Sequence, residues 1–320
     1  MPEPKSELAQ KIDEYLEYLE VAKGSSPLTI RDYKHYLNRF LEWLKKEGIR
    51  LGIQDINPEI IRQYRVYLSR LPGVAVRGRT SNEMARKTQG YHVIAIRSFL
   101  RYLIKNDNKV MSPDKIDLPK IEERQVKFLS GEEVDRILNA PSLSTIQGKR
   151  DKAILEVLFS TGLRVSELVH LDRDKVNLET REFGVLGKGQ KVRVVFLSAR
   201  SVKWLSDYLK ERDDHFKPLF IRHKGKIDPT TPDEKARLTV RSVQRMIKKY
   251  GEKMKLPIDV TPHVMRHSFA TDLLIAGADL RSVQEMLGHK NVSTTQIYTH
   301  VTNKHLKDVH EAFHGHGGKN

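Results

Sequence analysis

Through the N-terminal third of the chain, apolar residues return every three or four positions, the period of a helix that buries one face. Leu8, Ile12, Leu16 and Leu19, with Tyr15 between them, predict a first helix that runs to about Lys23, where Gly24-Ser25-Ser26-Pro27 breaks it. Thr29 to Lys46 repeats the pattern at Tyr33, Tyr36-Leu37, Phe40-Leu41 and Leu44, and Gly48 follows as a stop. Asn57-Pro58 opens a third helix through Ile61, Tyr64 and Leu68. A fourth, from about Glu83 to Ile104, sets Val93, Ile96, Leu100 and Leu103 on one stripe, which Arg86, Lys87, Arg97 and Arg101 largely avoid. The polar stretch Leu71 to Asn82, with Arg77 and Arg79, is long for a connection between helices.

The pattern then changes. Asp107 to Gln125 holds prolines, charges and few apolar residues, so Met111 to Val126 reads as a linker. It separates a helical domain, 1–110, from a second domain, 127–320. There Ser130 caps a helix with Glu133 at the capping-box position, and Val134, Ile137 and Leu138 face inward. Lys149 to Phe159 forms an apolar helix ending at Thr161-Gly162, with Arg164 at the start of the next turn. β-Structure is expected only between Val176 and Leu197. Phe183 and Val185 alternate, as do Val192, Val194 and Phe196, and Gly187-Lys188-Gly189-Gln190 reads as the hairpin turn. Ser201 to Arg212 and Thr239 to Lys255 are further helices, separated by the charged, loop-rich Asp213 to Arg237.

Thr261 to Thr299 carries the plainest punctuation. Thr261 caps a helix and Pro262 suits its first position, where a missing N–H costs nothing. Gly277 ends that helix, Asp279 caps a second, Gly288 closes it, and Ser293 starts a third that carries Tyr298. Asn303 caps a last amphipathic helix through Leu306, Val309 and Phe313, which needs a surface for its apolar side. The expected fold is mainly α with a small β-hairpin, in two domains.

Composition narrows the partner. The chain has 320 residues, 38% of them hydrophobic, enough for two cores. A net charge of +16 suits a polyanion, and nucleic acid is the first candidate. Arg86, Lys87, Arg97 and Arg101 in the first domain, and Arg241 and Arg245 in the second, are the candidate contacts. Their plain alternative is a solvated helix face. The Leu71 to Asn82 loop reads as disorder or as a further contact. An anionic membrane is the rival partner, but no long apolar run or N-terminal signal appears, and a cytoplasmic protein is expected. With no cysteines, disulfides, thiolate catalysis and Cys-ligated zinc are excluded. The His-Gly-His-Gly-Gly tail reads as flexible.

The chemistry concentrates after Thr261. His263 and Arg266, three apart on one helix, share a face with Cβ atoms about 5–6 Å apart. Both can donate to one anion, the Arg through a planar fork that matches phosphate. His289 follows a helix-ending Gly and projects from a bend. Tyr298 is a phenol of ordinary pKa about 10, which attacks at neutral pH only with help from a base or nearby cations. Donors focused on a phosphate beside a phenol describe tyrosine attack on a phosphodiester. Singly, each of these residues also reads as structural, and Lys188 as a turn lysine.

Together the residues resemble a family. H-V-M-R-H-S-F-A-T, L-G-H and S-T-T-Q-I-Y-T-H-V are similar to the active-site signature of tyrosine recombinases, closest to the Xer branch. That family's first arginine lies in a T-G-L-R-x-S-E-L element, matched by Thr161 to Leu168, and its lysine in a G-K-G hairpin, matched by Gly187-Lys188-Gly189. The resemblance implies a catalytic set of Arg164, Lys188, His263, Arg266, His289 and Tyr298, with Lys191 the nearest competitor for the lysine's role. It implies a site-specific recombinase acting on double-stranded DNA through a 3′-phosphotyrosyl intermediate, with neither ATP nor a metal. Two lobes joined by the linker would clamp the duplex. Helix 303–314 would dock on a neighbouring protomer, giving an oligomer, a tetramer, on DNA; its plain alternative is packing on its own domain. Xer-like dimer resolution is the expected role. A mobile-element integrase, a type IB-like topoisomerase and a catalytically silent DNA-binding relative are the alternatives.

Overall fold

Helix starts in this protein are set by short polar side chains. Ser26, Asn57, Ser130, Thr145, Thr239, Thr261 and Asp279 each accept an N–H from the first turn of the helix they precede, satisfying a donor that the helix leaves unpaired. The computed structural model describes residues 6–73, 83–118, 127–187, 192–225, 228 and 230–288. The chain divides into two compact units, Met1–Glu123 and Arg124–Asn320.

The first unit is built from α1 (Glu7–Val21), α2 (Pro27–Lys46), α3 (Pro58–Arg70) and α4 (Arg86–Lys105). Their apolar stripes meet in a core that holds Tyr15, Leu37, Phe40, Tyr64, Phe99 and Leu100 almost wholly out of solvent. Two of its buried tyrosines find partners: Tyr15 donates to Ser98 at 2.8 Å, and the Tyr64 hydroxyl meets His92 Nδ1 at 3.2 Å, while His92 Nε2 is buried without a hydrogen bond. The stretch expected as a linker divides in two. Ile116 is 3% exposed within this core and Met111 packs against it, around a short turn at Pro113–Lys115. Two apolar residues are too few to show a period, so their burial left no sequence signal. Residues 119–126, and 74–82 of the expected loop, lie outside the described residues.

The second unit contains α5 (Gly131–Leu138), α6 (Ile146–Thr161), α7 (Val165–Val169), β1 (Glu182–Leu186), β2 (Val192–Phe196), α8 (Ala199–Lys210), α9 (Asp233–Ala236), α10 (Val240–Lys253), α11 (Pro262–Ile275) and α12 (Leu280–Leu287). At its centre, α6 packs on α8 and α11 and is buried on almost every side, charged residues included. Lys152 and Glu156, one turn apart, pair at 2.7 Å with side chains 3% exposed, and Lys152 also donates to the Leu138 carbonyl. Buried charges persist only when paired and hydrogen-bonded like this.

β1 and β2 form an antiparallel hairpin in which Glu182 faces Phe196 and Leu186 faces Val192. β1 buries Phe183 and Val185, as their alternation predicts. β2 departs from expectation: Val192, Val194 and Phe196 are exposed, while Val195 and Arg193 turn inward. β-Pairing also reaches beyond Leu197, in isolated bridges of Asp172 with Pro218 and Ile221 with Arg237. The loop-rich segment after α8 is organised by Arg212, which is buried and donates to the carbonyls of Phe216, Pro218 and Leu219.

Gly162 joins α6 to the turn that carries Arg164. Its φ is +59°, and an added Cβ would lie 2.4 Å from Phe269 Cδ1 on α11 and 3.0 Å from Leu287 Cδ2 on α12. Gly162→Ala combines left-handed strain with overpacking and is expected to cost roughly 2–5 kcal/mol in urea unfolding. Gly277→Ala, at φ +95° with nothing within 4 Å, carries backbone strain alone, about 1–2 kcal/mol. Equal losses would show that the packing around Gly162 is looser than described.

Candidate active site

Three segments of the second unit meet around two arginines. Gly162 closes α6 in the left-handed conformation, and its N–H reaches the Leu158 carbonyl. The chain then turns through buried Leu163 to Arg164, the N-cap residue of α7. Glu167, three residues on, grips Arg164 twice. Its Oε2 accepts from the Arg164 backbone N–H at 2.7 Å and its Oε1 from Nη1 at 2.9 Å. The Arg164 side chain keeps 30% exposure while Glu167 keeps 7%, so a buried carboxylate fixes a guanidinium that still reaches solvent.

On α11, Thr261 and Pro262 start the helix as their sequence predicts. His263, in the first turn, is exposed, whereas Arg266, one turn deeper, is 4% exposed. Arg266 donates through Nη1 to the Gly162 carbonyl at 2.6 Å and through Nη2 to the Leu287 carbonyl at 2.5 Å. One side chain thus binds the end of α6 and the end of α12 to α11. Both carbonyls belong to helix C-termini, where backbone acceptors lack intrahelical partners and a cation is favoured. Partial desolvation, then the positive charges of Arg266 and Arg164, hold the His263 imidazole below its ordinary pKa. A neutral imidazole beside two guanidiniums can take a proton in a site that attracts an anion.

A third arginine, on β2, completes the frame. Arg193 Nη1 and Nη2 donate to Glu167 Oε1 and Oε2 at 3.0 and 2.7 Å, and its Nε donates to the Met286 carbonyl at 3.2 Å. Gly288, left-handed at the end of α12, lies against it: a Cβ there would be 2.9 Å from Arg193 Cδ. Burial alone would raise the Glu167 pKa. The hydrogen bonds from Arg193 and from the Arg164 backbone, with the Arg193 charge, outweigh it and hold the carboxyl below its usual range.

Of the expected catalytic set, the structure brings Arg164, His263 and Arg266 together. Lys188, His289 and Tyr298 lie outside the described residues, as do Lys191 and helix 303–314. Among other tyrosines, Tyr250 is a poor nucleophile: it is 9% exposed, its hydroxyl donates to Asp151 at 3.0 Å, and burial raises its pKa. Of the expected nucleic-acid contacts, Arg86, Lys87 and Arg101 on α4, and Arg241 and Arg245 on α10, are exposed. Arg97 is engaged within its own unit, with a side chain 16% exposed and Nη2 donating to Asp114 at 3.3 Å. Glu167 and Arg193 are absent from the expected set. Glu167 had a local signal, three residues after Arg164 at a capping position; Arg193 had none.

A family model described as "Phage integrase family" matches residues 127–305, and one described as "Phage integrase, N-terminal SAM-like domain" matches residues 12–107. The chain is 36% identical over 320 residues to tyrosine recombinase XerC of Pelotomaculum thermopropionicum, covering 95% of this chain and 97% of that protein. It is 35% identical over 310 residues to tyrosine recombinase XerD of Staphylococcus aureus, covering 95% and 98%. Among solved structures, the Tn1549 transposon integrase in complex with transposon right end DNA aligns with a TM-score of 0.68 at 19% identity, over 96% of this chain and 99% of that one. XerH recombinase bound to palindromic difH substrate aligns at 0.67 and 23%, over 94% and 83%. At these identities the two structures establish a shared fold.

His267, next to Arg266, is pushed down to about 4 by burial and by the neighbouring His263 and Arg266 charges, and burial takes His223 and His92 to about 4 as well. A folded-state histidine pKa below the ordinary 6.5 means that the unfolded chain binds more protons between the two values. Stability is therefore expected to be full above about pH 6.5 and to fall as pH drops towards 4. Urea midpoints at pH 7 and pH 5 measure this, and His267→Gln, which does not titrate, should flatten the fall. Equal midpoints at the two pH values would contradict the neutral, buried imidazoles.

Proposed function

The chain belongs to the phage integrase family, among the Xer-type tyrosine recombinases, and on that premise we propose that Tyr298 is its nucleophile and Arg164, Lys188, His263, Arg266 and His289 its phosphate-activating set. The protein is a site-specific recombinase, an enzyme that breaks and rejoins DNA. The observation that carries the residue assignment is the convergence of Arg164, Arg266 and a neutral His263, with Arg266 bonded to the carbonyl two residues before Arg164.

In this reading the arginines and histidines hold the scissile phosphate and stabilise the charge that grows on it in the transition state. The Tyr298 oxygen attacks phosphorus, its proton passes to His263, and the bond to the 5′ oxygen breaks as Lys188 protonates the leaving group. The 3′-phosphotyrosyl ester conserves the bond energy, and the 5′ hydroxyl of an exchanged strand reverses the step. The first unit, whose core takes in Met111 and Ile116, is a DNA-gripping domain and 127–320 the catalytic domain; the two family matches, 12–107 and 127–305, support the division into two domains. Helix 303–314 docks on a neighbouring protomer in a DNA-bound tetramer. Exposed Arg86, Lys87, Arg101, Arg241 and Arg245 contact the duplex. Dimer resolution of chromosomes or plasmids, in the cytoplasm, is the role we favour over integration, because a XerC and a XerD relative, at 36% and 35% identity, each cover 95% of the chain.

Covalent capture from a pool of nicked suicide duplexes tests the function: wild type should form a protease-sensitive DNA adduct and enrich one sequence. No adduct with any duplex would overturn it. Tyr298→Phe should bind the enriched duplex and form no adduct; an adduct in that variant places the nucleophile elsewhere. Arg164→Lys keeps charge but loses the fork, and its single-turnover cleavage should fall about 10²–10³-fold.

Lys188 is tested with 5′-bridging sulfur, a leaving group that departs without a proton. Lys188→Ala should cleave the sulfur substrate almost normally and the oxygen substrate slowly. Parallel slowing of both would reduce Lys188 to a phosphate contact. Rescue confined to Lys191→Ala would move the acid to Lys191.

A further inference from the structure

The proposed site relies on Arg164 offering positive charge to a phosphate, yet Arg164 is hydrogen-bonded to a buried carboxylate. A guanidinium and a carboxylate in contact cancel. Left as a pair, Arg164 and Glu167 would present little net charge to an anion, and the site would lose one of its two arginines electrostatically while keeping it sterically. The structure carries a remedy in Arg193. Its Nη atoms take both Glu167 oxygens, a two-pronged geometry that gives the strongest form of this ion pair. The Arg193 side chain is 10% exposed, so the pair is screened little by solvent, whereas Arg164 keeps 30% exposure.

We propose that Arg193 is a positioning residue that acts as the counter-cation of Glu167, so that Glu167 orients Arg164 without consuming its charge. The trio of Arg164, Glu167 and Arg193 carries one net positive charge, and that charge sits on its most exposed member. Through Nε, Arg193 also holds the Met286 carbonyl, and Arg266 holds the next one, Leu287. The last turn of α12 is therefore referenced to both arginines of the proposed phosphate site. A closed circuit results, from Gly162 through Arg266 to α12, through Arg193 to Glu167, and back along two residues of chain from Arg164. A shift in any member moves the others, and misplacement of a catalytic group by about 1 Å can cost about 10² in rate.

The inference rests on the recombinase reading, and its test separates the two. On the duplex enriched by wild type, Arg193→Gln should bind DNA within about threefold of wild type and cleave roughly 10–100-fold more slowly in single turnover. Adding Glu167→Gln removes the uncompensated carboxylate and should restore at least about fivefold of that loss, a gain that a scaffold role for Arg193 does not allow. Thermal unfolding of each variant confirms a folded protein. Where Arg193→Gln does not fold, Arg193→Lys carries the test. It keeps the counter-charge and should cleave within about tenfold of wild type, and a larger loss overturns the proposal. Near-normal cleavage by Arg193→Gln, or a Glu167→Gln/Arg193→Gln protein no faster than Arg193→Gln, overturns it as well. Absence of adducts with wild type itself would instead remove the recombinase reading.

Discussion

Arg266 is the tie on which the second unit depends. It is 4% exposed, and it spends two N–H groups on the carbonyls of Gly162 and Leu287, which end two different helices. A buried guanidinium is costly unless its donors are met, and helix C-termini supply acceptors that nothing else satisfies. The same bonds hold the backbone two residues before Arg164 at a set distance from α11, where His263 sits. Placement of the site and payment of a desolvation cost are one event. This is also why Gly162 has no room for a side chain: the helices it joins are drawn against Phe269 and Leu287.

Arginine serves this protein in two ways, and net charge does not distinguish them. Arg150 and Arg266 are buried and donate to carbonyls of distant loops and helix ends, Arg212 is buried and donates to carbonyls of the loop that follows it, and Arg193 and Arg237 reach distant carbonyls with side chains 10% exposed. Arg86, Arg101, Arg241 and Arg245 are exposed. A surplus of +16 predicts a polyanionic partner, yet part of the cationic complement is structural. Arg97 and Arg101 illustrate the difference: both approach Asp114, at 3.3 and 3.7 Å, but the Arg97 side chain is 16% exposed and that of Arg101 59%.

In the proposed phosphate site Arg164 is the more exposed guanidinium and Arg266 the buried one, while Glu167 and Arg193 pair with each other through side chains 7% and 10% exposed. His263, neutral because its ring is partly desolvated between two positive charges, is suited to accept a proton. Tyr250 shows the converse case. Its hydroxyl is occupied by Asp151 and its environment is dry, so its chemistry is spent on packing.

Local order was legible from the sequence because its causes lie within a few residues. Asn57 before Pro58, Ser130 with Glu133, Thr261 with Pro262 and Asp279 each cap a helix by bonds that span two or three positions, and the apolar period of α1 to α4 marks the faces that bury. The likeness of Thr161 to Leu168 and of Thr261 onward to tyrosine recombinases identified Arg164, His263 and Arg266, which the fold brings together. Tertiary structure alone decided the rest. Arg193 meets Glu167 across 26 positions and Met286 across 93, and Arg266 reaches Gly162 across 104. Periodicity carries no information at such separations. On β2 it even favoured the wrong face, because Val192, Val194 and Phe196 look like an inward set, whereas the register with β1 turns Arg193 and Val195 inward. An arginine becomes part of the site's interior only when a carboxylate and a helix end, contributed from elsewhere in the chain, are there to receive its donors.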